Sequence, residues 1–327
     1  MTSTTDATGT SGASEPRDTY GELRAQLATL TTEAFRPELS EIDRLPTEEI
    51  AKIMNGEDAS VATAVAEQLS AIAAAIDGTA ERMARGGRLI YAGAGTAGRL
   101  GVLDASECPP TFNTDPSDVV GLIAGGPSAM VKAVEGAEDS KELAAEDLED
   151  LNLTEDDVVV GISASGRTPY AIGAVEYARS HYGALTIGLS CNADSALAAA
   201  AEHGIEVVVG PELLTGSTRL KAGTAQKLVL NMLSTITMIR LGKTYGNLMV
   251  DVRASNEKLR ARSRRIVALA TGASDEEIEA ALTATDGEVK NAILTILGEV
   301  DGPTAATLLA TSAGHLRAAL DNARTTD

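Results

Sequence analysis

Residues 88–111 read RLIYAGAGTAGRLGVLDASECPPT, and this stretch decides the fold. A buried strand pattern runs to Gly93, glycines form a turn, and a helical pattern follows. Unpaired backbone N–H groups and the positive end of a helix dipole face such a turn, and Gly95 lets a ligand approach without a Cβ in the way. Glu107 lies about two to three helical turns further on. The stretch therefore predicts an anion site and a carboxylate, a combination typical of acid–base chemistry on a phosphorylated substrate.

Five apolar runs, separated by helical patterns, give the next level of organisation. Nearly continuous Val, Ile and Leu, rather than alternation with polar residues, is typical of strands buried on both faces. The runs are Arg88–Gly93, Val119–Ala124, Asp157–Ser163, Leu185–Ser190 and Ile205–Gly210. We predict an α/β fold of three layers, with a five-stranded parallel sheet between helices and a ligand at the carboxyl ends of its strands.

The whole chain divides into four predicted parts. They are a disordered tail (1–19), an N-terminal helical segment (20–57), the α/β domain (58–242) and a helical C-terminal region (243–327). Apolar spacing predicts long helices at Ser60–Arg85, Thr218–Leu241 and Ala254–Ala270, and three shorter helices within 274–325.

The composition restricts the partners. The 327 residues include 27 basic and 47 acidic ones, so the net charge is −20. Nucleic acids and anionic membranes need a basic face, and we expect neither as a partner, whereas an anionic small molecule needs only a local cluster of donors. The first 19 residues lack the apolar core of a signal peptide, and no apolar segment is long enough to span a bilayer. The sequence predicts a soluble, cytoplasmic protein.

The cysteines and histidines do not form a metal-binding pattern. Cys108 and Cys191 lie near the ends of apolar segments and are predicted to be buried free thiols. The three histidines are scattered along the chain. We therefore expect no metal and no cofactor.

The glycine turn also matches G-x-G-x-x-G, the pattern of dinucleotide-binding folds. That pattern is weak alone, because an acidic residue should end the second strand to bind a ribose. Here the run Val119–Ala124 continues into Gly125, and Asp104 and Glu107 come too early. Nicotinamide binding is therefore not expected.

The third apolar run ends in Ser163-Ala164-Ser165-Gly166-Arg167-Thr168-Pro169. Three hydroxyls, a glycine and a proline suited to the first turn of a helix are typical of a phosphate nest. Ordinary helix capping is the alternative, but one hydroxyl would suffice for a cap. The hydroxyls of Ser163, Ser165 and Thr168 are thus candidate phosphate ligands, with Gly166 shaping the loop.

Two cations, Arg219 and Lys221, stand at the start of the long helix after the fifth run. A cation there opposes the helix dipole unless an anion compensates. The two residues are either solvated surface cations or cations near a ligand or a subunit contact, and both interpretations remain open.

Two carboxylates are candidates for chemistry. Glu138 is predicted to lie in a helix from Ser128, on one face with Met130 and Val134, which also fits an ordinary helix-edge position. Glu107 is followed by Cys108-Pro109-Pro110, which is expected to end the helix and to place the carboxylate in apolar surroundings that suit a general acid.

Together, these stretches resemble the N-acetylmuramic acid 6-phosphate etherases of the sugar isomerase (SIS) superfamily, from about Glu41 to Leu320. Several long motifs occur in the family's order, including the Gly-Pro-Glu and Gly-Ser-Thr-Arg-Leu-Lys signature. The motifs are Tyr91–Thr111, Gly161–Tyr170, Gly210–Asn231 and Gly246–Asp251.

The resemblance implies hydrolysis of the D-lactyl ether of N-acetylmuramic acid 6-phosphate, giving N-acetylglucosamine 6-phosphate and D-lactate during amino-sugar recycling. It implies a metal-free homodimer in which Glu107 is the proton donor and Glu138 the second active-site carboxylate. It also implies a SIS domain followed by a three-helix, UBA-like C-terminal unit.

The resemblance further assigns the phosphate to four hydroxyls and glycine loops of the SIS domain. The hydroxyls belong to Thr96, Ser163, Ser165 and Thr168. Many relatives carry serine where this chain has Ala97, so we expect a modest effect on phosphate affinity. A non-catalytic sugar-phosphate sensor, like the glucokinase regulatory protein, and an aldose–ketose phosphate isomerase are the alternatives.

Overall fold

The computed structural model describes residues 21, 25, 27–252 and 257–325. Its centre is a five-stranded parallel sheet with the strand order β2-β1-β3-β4-β5. The strands are β1 (Leu89–Gly93), β2 (Val119–Ile123), β3 (Val158–Ile162), β4 (Leu185–Ser190) and β5 (His203–Glu206). The predicted parallel sheet is confirmed. The predicted disordered tail, residues 1–19, lies outside the described residues.

Helices alternate with these strands and continue after them. They are α1 (Thr47–Ala59), α2 (Val61–Ala66), α3 (Leu69–Ala84), α4 (Gly95–Phe112), α5 (Lys141–Glu149), α6 (Pro169–Tyr177), α7 (Ala196–Ala200), α8 (Lys221–Arg240), α9 (Glu257–Thr271), α10 (Asp275–Ala284), α11 (Val289–Leu297), α12 (Gly302–Thr311) and α13 (Leu316–Thr325). A two-stranded antiparallel hairpin, β6 (Thr244–Tyr245) and β7 (Leu248–Met249), follows α8.

Both faces of the sheet are covered, which makes the three predicted layers. Side chains of successive strand residues point to opposite faces. Tyr91 therefore packs with helices α2, α3, α4 and α8 on one face, while the neighbouring Ile90 packs with α5 and α6 on the other. The near-continuous apolar runs of the sequence reflect this double burial.

Several predicted element boundaries differ from the structure. The fifth strand is His203–Glu206 rather than Ile205–Gly210, because its pairing with β4 begins at Ile187, opposite His203, and stops where β4 ends at Ser190, opposite Glu206. Instead of the single helix expected from Ser60 to Arg85, the chain forms two helices, α2 and α3. The chain bends by 61° between the α1–α2 segment and α3.

The prolines do not end helix α4, which continues through Pro109 and Pro110 to Phe112. Each proline removes a helical N–H and crowds the preceding turn. The last turn nevertheless buries Cys108 and Phe112 in the core, and Asn113 closes the helix in the left-handed conformation with φ 52°. Burial of these side chains outweighs the lost backbone hydrogen bonds.

The C-terminal region has its own apolar core. Residues 274–325 form four helices, not the three predicted, because Ala313 (φ 50°) and Gly314 (φ 78°) interrupt the last one. The predicted helix Ala254–Ala270 corresponds to α9, and residues 254–256 lie outside the described residues. The predicted helix from Thr218 begins at Lys221.

Candidate active site

A cavity of about 520 Å³ lies at the carboxyl ends of β1 and β3. It is lined by both polar loops of the sequence, by the short 3₁₀ helices Thr31–Glu33 and Ala137–Asp139, and by the start of α8. The lining residues are Leu27, Leu30, Glu33, Ala94, Gly95, Thr96, Ala97, Glu138, Asp139, Ser163, Ala164, Ser165, Arg167, Thr168, Pro169, Thr218 and Gln226. The position at the strand ends is the one expected for a parallel α/β sheet.

The hydroxyl loop after β3 is closed by its own hydrogen bonds. Ser163 Oγ lies 2.8 Å from Thr168 Oγ1 and 3.2 Å from Ser165 Oγ. Ser163 Oγ also accepts a hydrogen bond from the Gly166 N–H. Gly166 has φ +68°, and a Cβ there would lie 2.4 Å from the Ser195 Cβ, so only glycine fits. Three hydroxyls thus share one wall of the cavity.

The glycine loop after β1 supplies another part of the cavity lining. Gly95 has φ +54° with nothing within 4 Å of its Cβ position, and it begins α4. Thr96 and Ala97 line the cavity. The 18-residue helix directs its positive end toward this space. The two predicted phosphate loops therefore meet in one cavity.

Glu138 also lines the cavity, but not from the predicted helix. The chain forms a 3₁₀ helix at Pro127–Met130, turns, and forms another at Ala137–Asp139. Gly136, with φ 76°, separates them. The continuous helix that the four-residue spacing suggested is absent here, because the first helical turn ends at Met130 and the left-handed Gly136 directly precedes the second.

Glu107 lies outside this cavity. It is eleven positions after Thr96 on the same helix, about 16 Å along the helix axis. Its side chain is exposed, so the expectation of apolar surroundings is wrong for the single chain. The cause is the continuation of α4 past the prolines, which keeps Glu107 on the outer face of a regular helix.

The predicted cations do not line the cavity either. Arg219 is exposed. The Lys221 side chain is 5% exposed, and its Nζ lies 2.7 Å from Glu57 Oε2. The buried Glu212 carboxylate accepts hydrogen bonds from the N–H groups of Lys221 and Ala222, each at 2.9 Å. The anions that compensate Lys221 and the helix dipole therefore belong to the protein itself.

Among the described residues, the basic side chain that lines the cavity is Arg167, which donates to Thr29 Oγ1 at 3.2 Å. Sequence reasoning also missed Glu33 and Gln226. Glu33 lies far from the other site residues in sequence, and Gln226 is a single polar residue on a buried helix face. No spacing signal distinguishes either residue from its neighbours.

The segment that carries Glu33 is fixed to the hydroxyl loop through Asn192. The Asn192 Oδ1 accepts a hydrogen bond from Thr31 N at 2.8 Å, and its Nδ2 donates to Thr32 Oγ1 at 3.0 Å and to Ala164 O at 2.9 Å. Glu33 Oε2 would lie 2.7 Å from a Cβ on Gly216. The absence of that Cβ gives the carboxylate its place at the edge of the cavity.

A buried polar group fixes helix α4 beneath the cavity. Tyr91 Oη on β1 donates to Asp104 Oδ2 at 2.8 Å, and Ser234 Oγ on α8 donates to Oδ1 at 3.2 Å. Burial raises the pKa of Asp104 despite these bonds. Burial, with the nearby Asp104 charge, also raises the pKa of the Cys108 thiol to about 12. Both predicted free cysteines are buried, and this one is a poor nucleophile.

Two properties of the described residues bear on other functions. No group of three or more His, Cys, Asp or Glu in this part of the chain could hold a metal ion. No single helix in it is long and apolar enough to cross a membrane, although two bent helix pairs meet the length and composition criteria together.

Two family models match parts of this chain. The glucokinase regulatory protein N-terminal SIS domain model matches residues 71–179, and the SIS domain model matches residues 139–236. A phosphoheptose isomerase structure from Francisella tularensis is 21% identical, with a TM-score of 0.43 over 58% of this chain and 98% of that chain.

Curated relatives are much more similar. The N-acetylmuramic acid 6-phosphate etherase of Streptomyces avermitilis is 85% identical over 92% of this chain and 96% of its own length. The protein of the same name from Rubrobacter xylanophilus is 59% identical over 91% of this chain and 98% of its own. The chain belongs to the N-acetylmuramic acid 6-phosphate etherase family.

Proposed function

We propose that this protein hydrolyses the D-lactyl ether of N-acetylmuramic acid 6-phosphate to N-acetylglucosamine 6-phosphate and D-lactate, a step of amino-sugar recycling. The observation that carries the proposal is one cavity holding a cluster of phosphate donors and the carboxylate of Glu138. Membership of the etherase family supports the same substrate.

The phosphate binds between the two loops at the strand ends. The hydroxyls of Thr96, Ser163, Ser165 and Thr168 line this part of the cavity, with the N-terminus of α4 directed at it. Hydrogen bonds to a charged group are stronger than neutral ones, so neutral hydroxyls and backbone N–H groups suffice to hold a dianion. Arg167 adds a positive charge at the rim. Arg219, which is exposed, remains a proposed contact of the substrate or of a second subunit. Lys221 makes such a contact only if it leaves Glu57.

The chemistry is an elimination followed by an addition. In the open-chain sugar, a carboxylate removes the C2 proton and the electron pair moves to the C1 carbonyl oxygen. The enolate re-forms the carbonyl as the C3–O bond breaks, and the departing lactate oxygen takes a proton from an acid. Water then adds at C3 by the same steps in reverse, so the net reaction is hydrolysis. We assign the C2 proton to Glu138, which lines the cavity, and the lactate proton to Glu107.

This assignment requires a second copy of the chain. Helix α4 lines the cavity with its first three residues only, and Glu107 is about 16 Å further along the axis. A sugar phosphate anchored at Thr96 does not reach it within one subunit. We therefore propose a homodimer in which each subunit supplies Glu107 to the cavity of the other.

An exposed face on two neighbouring helices fits such a dimer. Helices α4 and α8 pack side by side. Leu103 on α4 is 50% exposed, and Ile236 and Ile239 on α8 are 37% and 45% exposed. Glu107 is one turn from Leu103 and shares its side of α4. Burial of these apolar side chains favours association.

The proposed location is the cytoplasm. A sugar phosphate is a polar dianion that does not cross a bilayer unaided. Two free, buried thiols are compatible with a reducing compartment.

The experiment that tests the function measures D-lactate release from N-acetylmuramic acid 6-phosphate, with a chelator present. Release by the wild type is expected, and binding of the sugar phosphate without release would favour the sensor alternative. Exchange of the C2 proton with D₂O separates the two carboxylates. Glu107→Gln should keep exchange and lose lactate release, whereas Glu138→Gln should lose both. Exchange retained in Glu138→Gln would show that another carboxylate, such as Glu33 or Asp139 of the cavity lining, takes the C2 proton.

A further inference from the structure

A smaller cavity of about 150 Å³ adjoins the active-site cavity. The two cavities share three lining residues, Ala94, Gly95 and Glu138. The rest of the smaller lining comes from helix α4 and from the segment between β2 and Glu138: Arg99, Ala124, Ala129, Ala133, Val134, Glu135 and Gly136. The four proposed phosphate-binding hydroxyls line the larger cavity only. Glu138 therefore borders both the phosphate cavity and a second space.

The wall of the smaller cavity is small, apolar and fixed to helix α4. Ala124 and Ala129 are each 4% exposed. The Arg99 side chain on α4 donates from Nε to the Met130 carbonyl oxygen at 2.9 Å and from Nη2 to the Ala129 carbonyl oxygen at 2.8 Å. These two hydrogen bonds hold the 3₁₀ helix Pro127–Met130 against the helix that carries the glycine loop.

The loop that completes this wall packs on the turn after β2. A Cβ on Gly125 would lie 2.6 Å from Val134 Cβ, and the φ of Gly125 is +88°. Glycine at this position therefore lets the loop approach the turn. Ala137, directly before Glu138, is buried in the core. Because the loop is fixed at both ends, the smaller cavity has a defined shape beside Glu138.

We propose that the smaller cavity binds the N-acetyl group that the sugar carries on C2. The inference rests on the proposed function, in which Glu138 takes the C2 proton. The acetamido nitrogen is bonded to that same carbon, so the group begins one bond from the atom whose proton the carboxylate removes. Binding of the acetamido group also fixes how the C2–H bond faces Glu138, since both are substituents of one carbon.

The chemistry of the lining favours the acetamido group over the other substituents of the substrate. Glu135 and Glu138 both line the smaller cavity, and two carboxylates repel the phosphate and the lactyl carboxylate. The acetamido group is neutral, and its N–H is a donor for a carboxylate. Its methyl group removes apolar surface of Ala124 and Ala129 from water. The smaller cavity is thus the part of the site that recognises an N-acetylated sugar.

The test compares two sugar phosphates that differ only at C2, N-acetylglucosamine 6-phosphate and glucose 6-phosphate, by calorimetric titration. The wild type should bind the acetylated sugar about tenfold more tightly, as expected for burial of its apolar surface. Ala129→Val adds two methyl groups to the cavity wall. It should reduce the ratio of the two affinities to about one, because the acetyl group no longer fits.

Two further variants complete the test. Ala133→Val also fills the smaller cavity, and because Ala133 is exposed in the loop, this variant is expected to fold even if Ala129→Val does not. Ala164→Val is the matched control, since Ala164 lines the larger cavity and not the smaller one. It should change the affinities for both sugars by the same factor and so retain the wild-type ratio.

Three results would overturn the inference. They are equal affinities of the wild type for the two sugars, a preference for the acetylated sugar that survives in the filling variants, and an equal loss of both affinities in those variants. The last result would mean that the smaller cavity supports the phosphate site. Absence of D-lactate release by the wild type would instead overturn the proposed function, and the affinity ratio would still be measurable, so the two failures are distinct.

Discussion

Ser165 is the hydroxyl whose loss isolates phosphate binding best. Ser163 also accepts the Gly166 N–H and contacts Thr168, so its removal disturbs the loop itself. Ser165 Oγ contacts Ser163 and accepts the Arg167 N–H at 3.2 Å. Ser165 is therefore the cleaner substitution.

We predict that Ser165→Ala weakens binding of the sugar phosphate about tenfold to a hundredfold, as expected for one hydrogen bond to a charged group. The double variant Ser163→Ala plus Ser165→Ala should abolish binding with the fold retained. Calorimetric titration with N-acetylglucosamine 6-phosphate measures both, and Ser180→Ala, an exposed hydroxyl on the π-helical turn after α6, is the control. Unchanged affinity of the double variant for the sugar phosphate would show that the phosphate binds at another place.

For single residues, the sequence predicted the cavity-lining side chains that directly follow a strand. It missed those that reach the cavity from other parts of the chain. The Ser163 loop follows a buried strand directly, so its location follows from topology. Gln226 lies on the buried face of a long helix, where a single polar residue carries no signal. Glu33 reaches the cavity only because Asn192 fixes its segment to the hydroxyl loop.

Helix α4 is held against the sheet by glycine. A Cβ on Gly98 would lie 2.5 Å from the Gly93 carbonyl oxygen and 2.7 Å from Ile123 Cγ1. We predict that Gly98→Ala destabilises the protein by about 1–3 kcal/mol, because this overpacking pushes the helix from β1.

Gly56→Ala is the contrasting control for that prediction. Gly56 lies within α1 and has nothing within 4 Å of its Cβ position. Alanine there should stabilise by about 0.5–1 kcal/mol. Denaturant unfolding measures both changes, and equal effects at the two positions would contradict the close approach of α4 to the sheet.

The starts of β1 and β3 are joined by Asp157. Its carboxylate accepts hydrogen bonds from the Arg88 side chain and from the N–H groups of Arg88 and Thr154. Burial alone would raise the pKa of Asp157, but these bonds outweigh it and the pKa lies below its ordinary value. Its stabilisation is therefore complete above the unfolded pKa, about 3.9, and is lost as pH falls through the folded pKa.

We predict that Asp157→Asn lowers the unfolding free energy at pH 6 and flattens its decline toward pH 2. Chemical denaturation across this range measures the two slopes. Asp104, whose raised pKa acts in the opposite direction, is present in both proteins and cancels in the comparison. If the unfolding free energies of the two proteins fall in parallel between pH 6 and pH 2, Asp157 does not contribute to the loss of stability in acid.

The strands were predicted from the sequence because their apolar runs are buried on both faces of the sheet. Helix boundaries were mispredicted where a local sequence signal and tertiary packing favoured different structures. Two prolines indicate a helix end, yet burial of Phe112 continues α4. A four-residue apolar spacing indicates a helix from Ser128 to Glu138, yet only two short 3₁₀ helices form, at Pro127–Met130 and Ala137–Asp139. These outcomes depend on tertiary contacts that spacing does not contain.

For the whole molecule, we propose that the active site is shared between two subunits. In such a dimer, each site contains Glu138 from one chain and Glu107 from the other. Glu107→Gln and Glu138→Gln homodimers then have no complete site. A mixed dimer has one intact site and one that lacks both carboxylates.

The most direct measurement is D-lactate release from N-acetylmuramic acid 6-phosphate after the two inactive variants are unfolded together and refolded in equal amounts. Random pairing of a symmetric dimer predicts recovery of about a quarter of the wild-type rate. The variants refolded separately and then assayed together are the control, and they should stay inactive until subunits exchange. No recovery, with mixed dimers demonstrated by mass after one variant is labelled with ¹⁵N, would contradict the shared site and place both carboxylates in one chain.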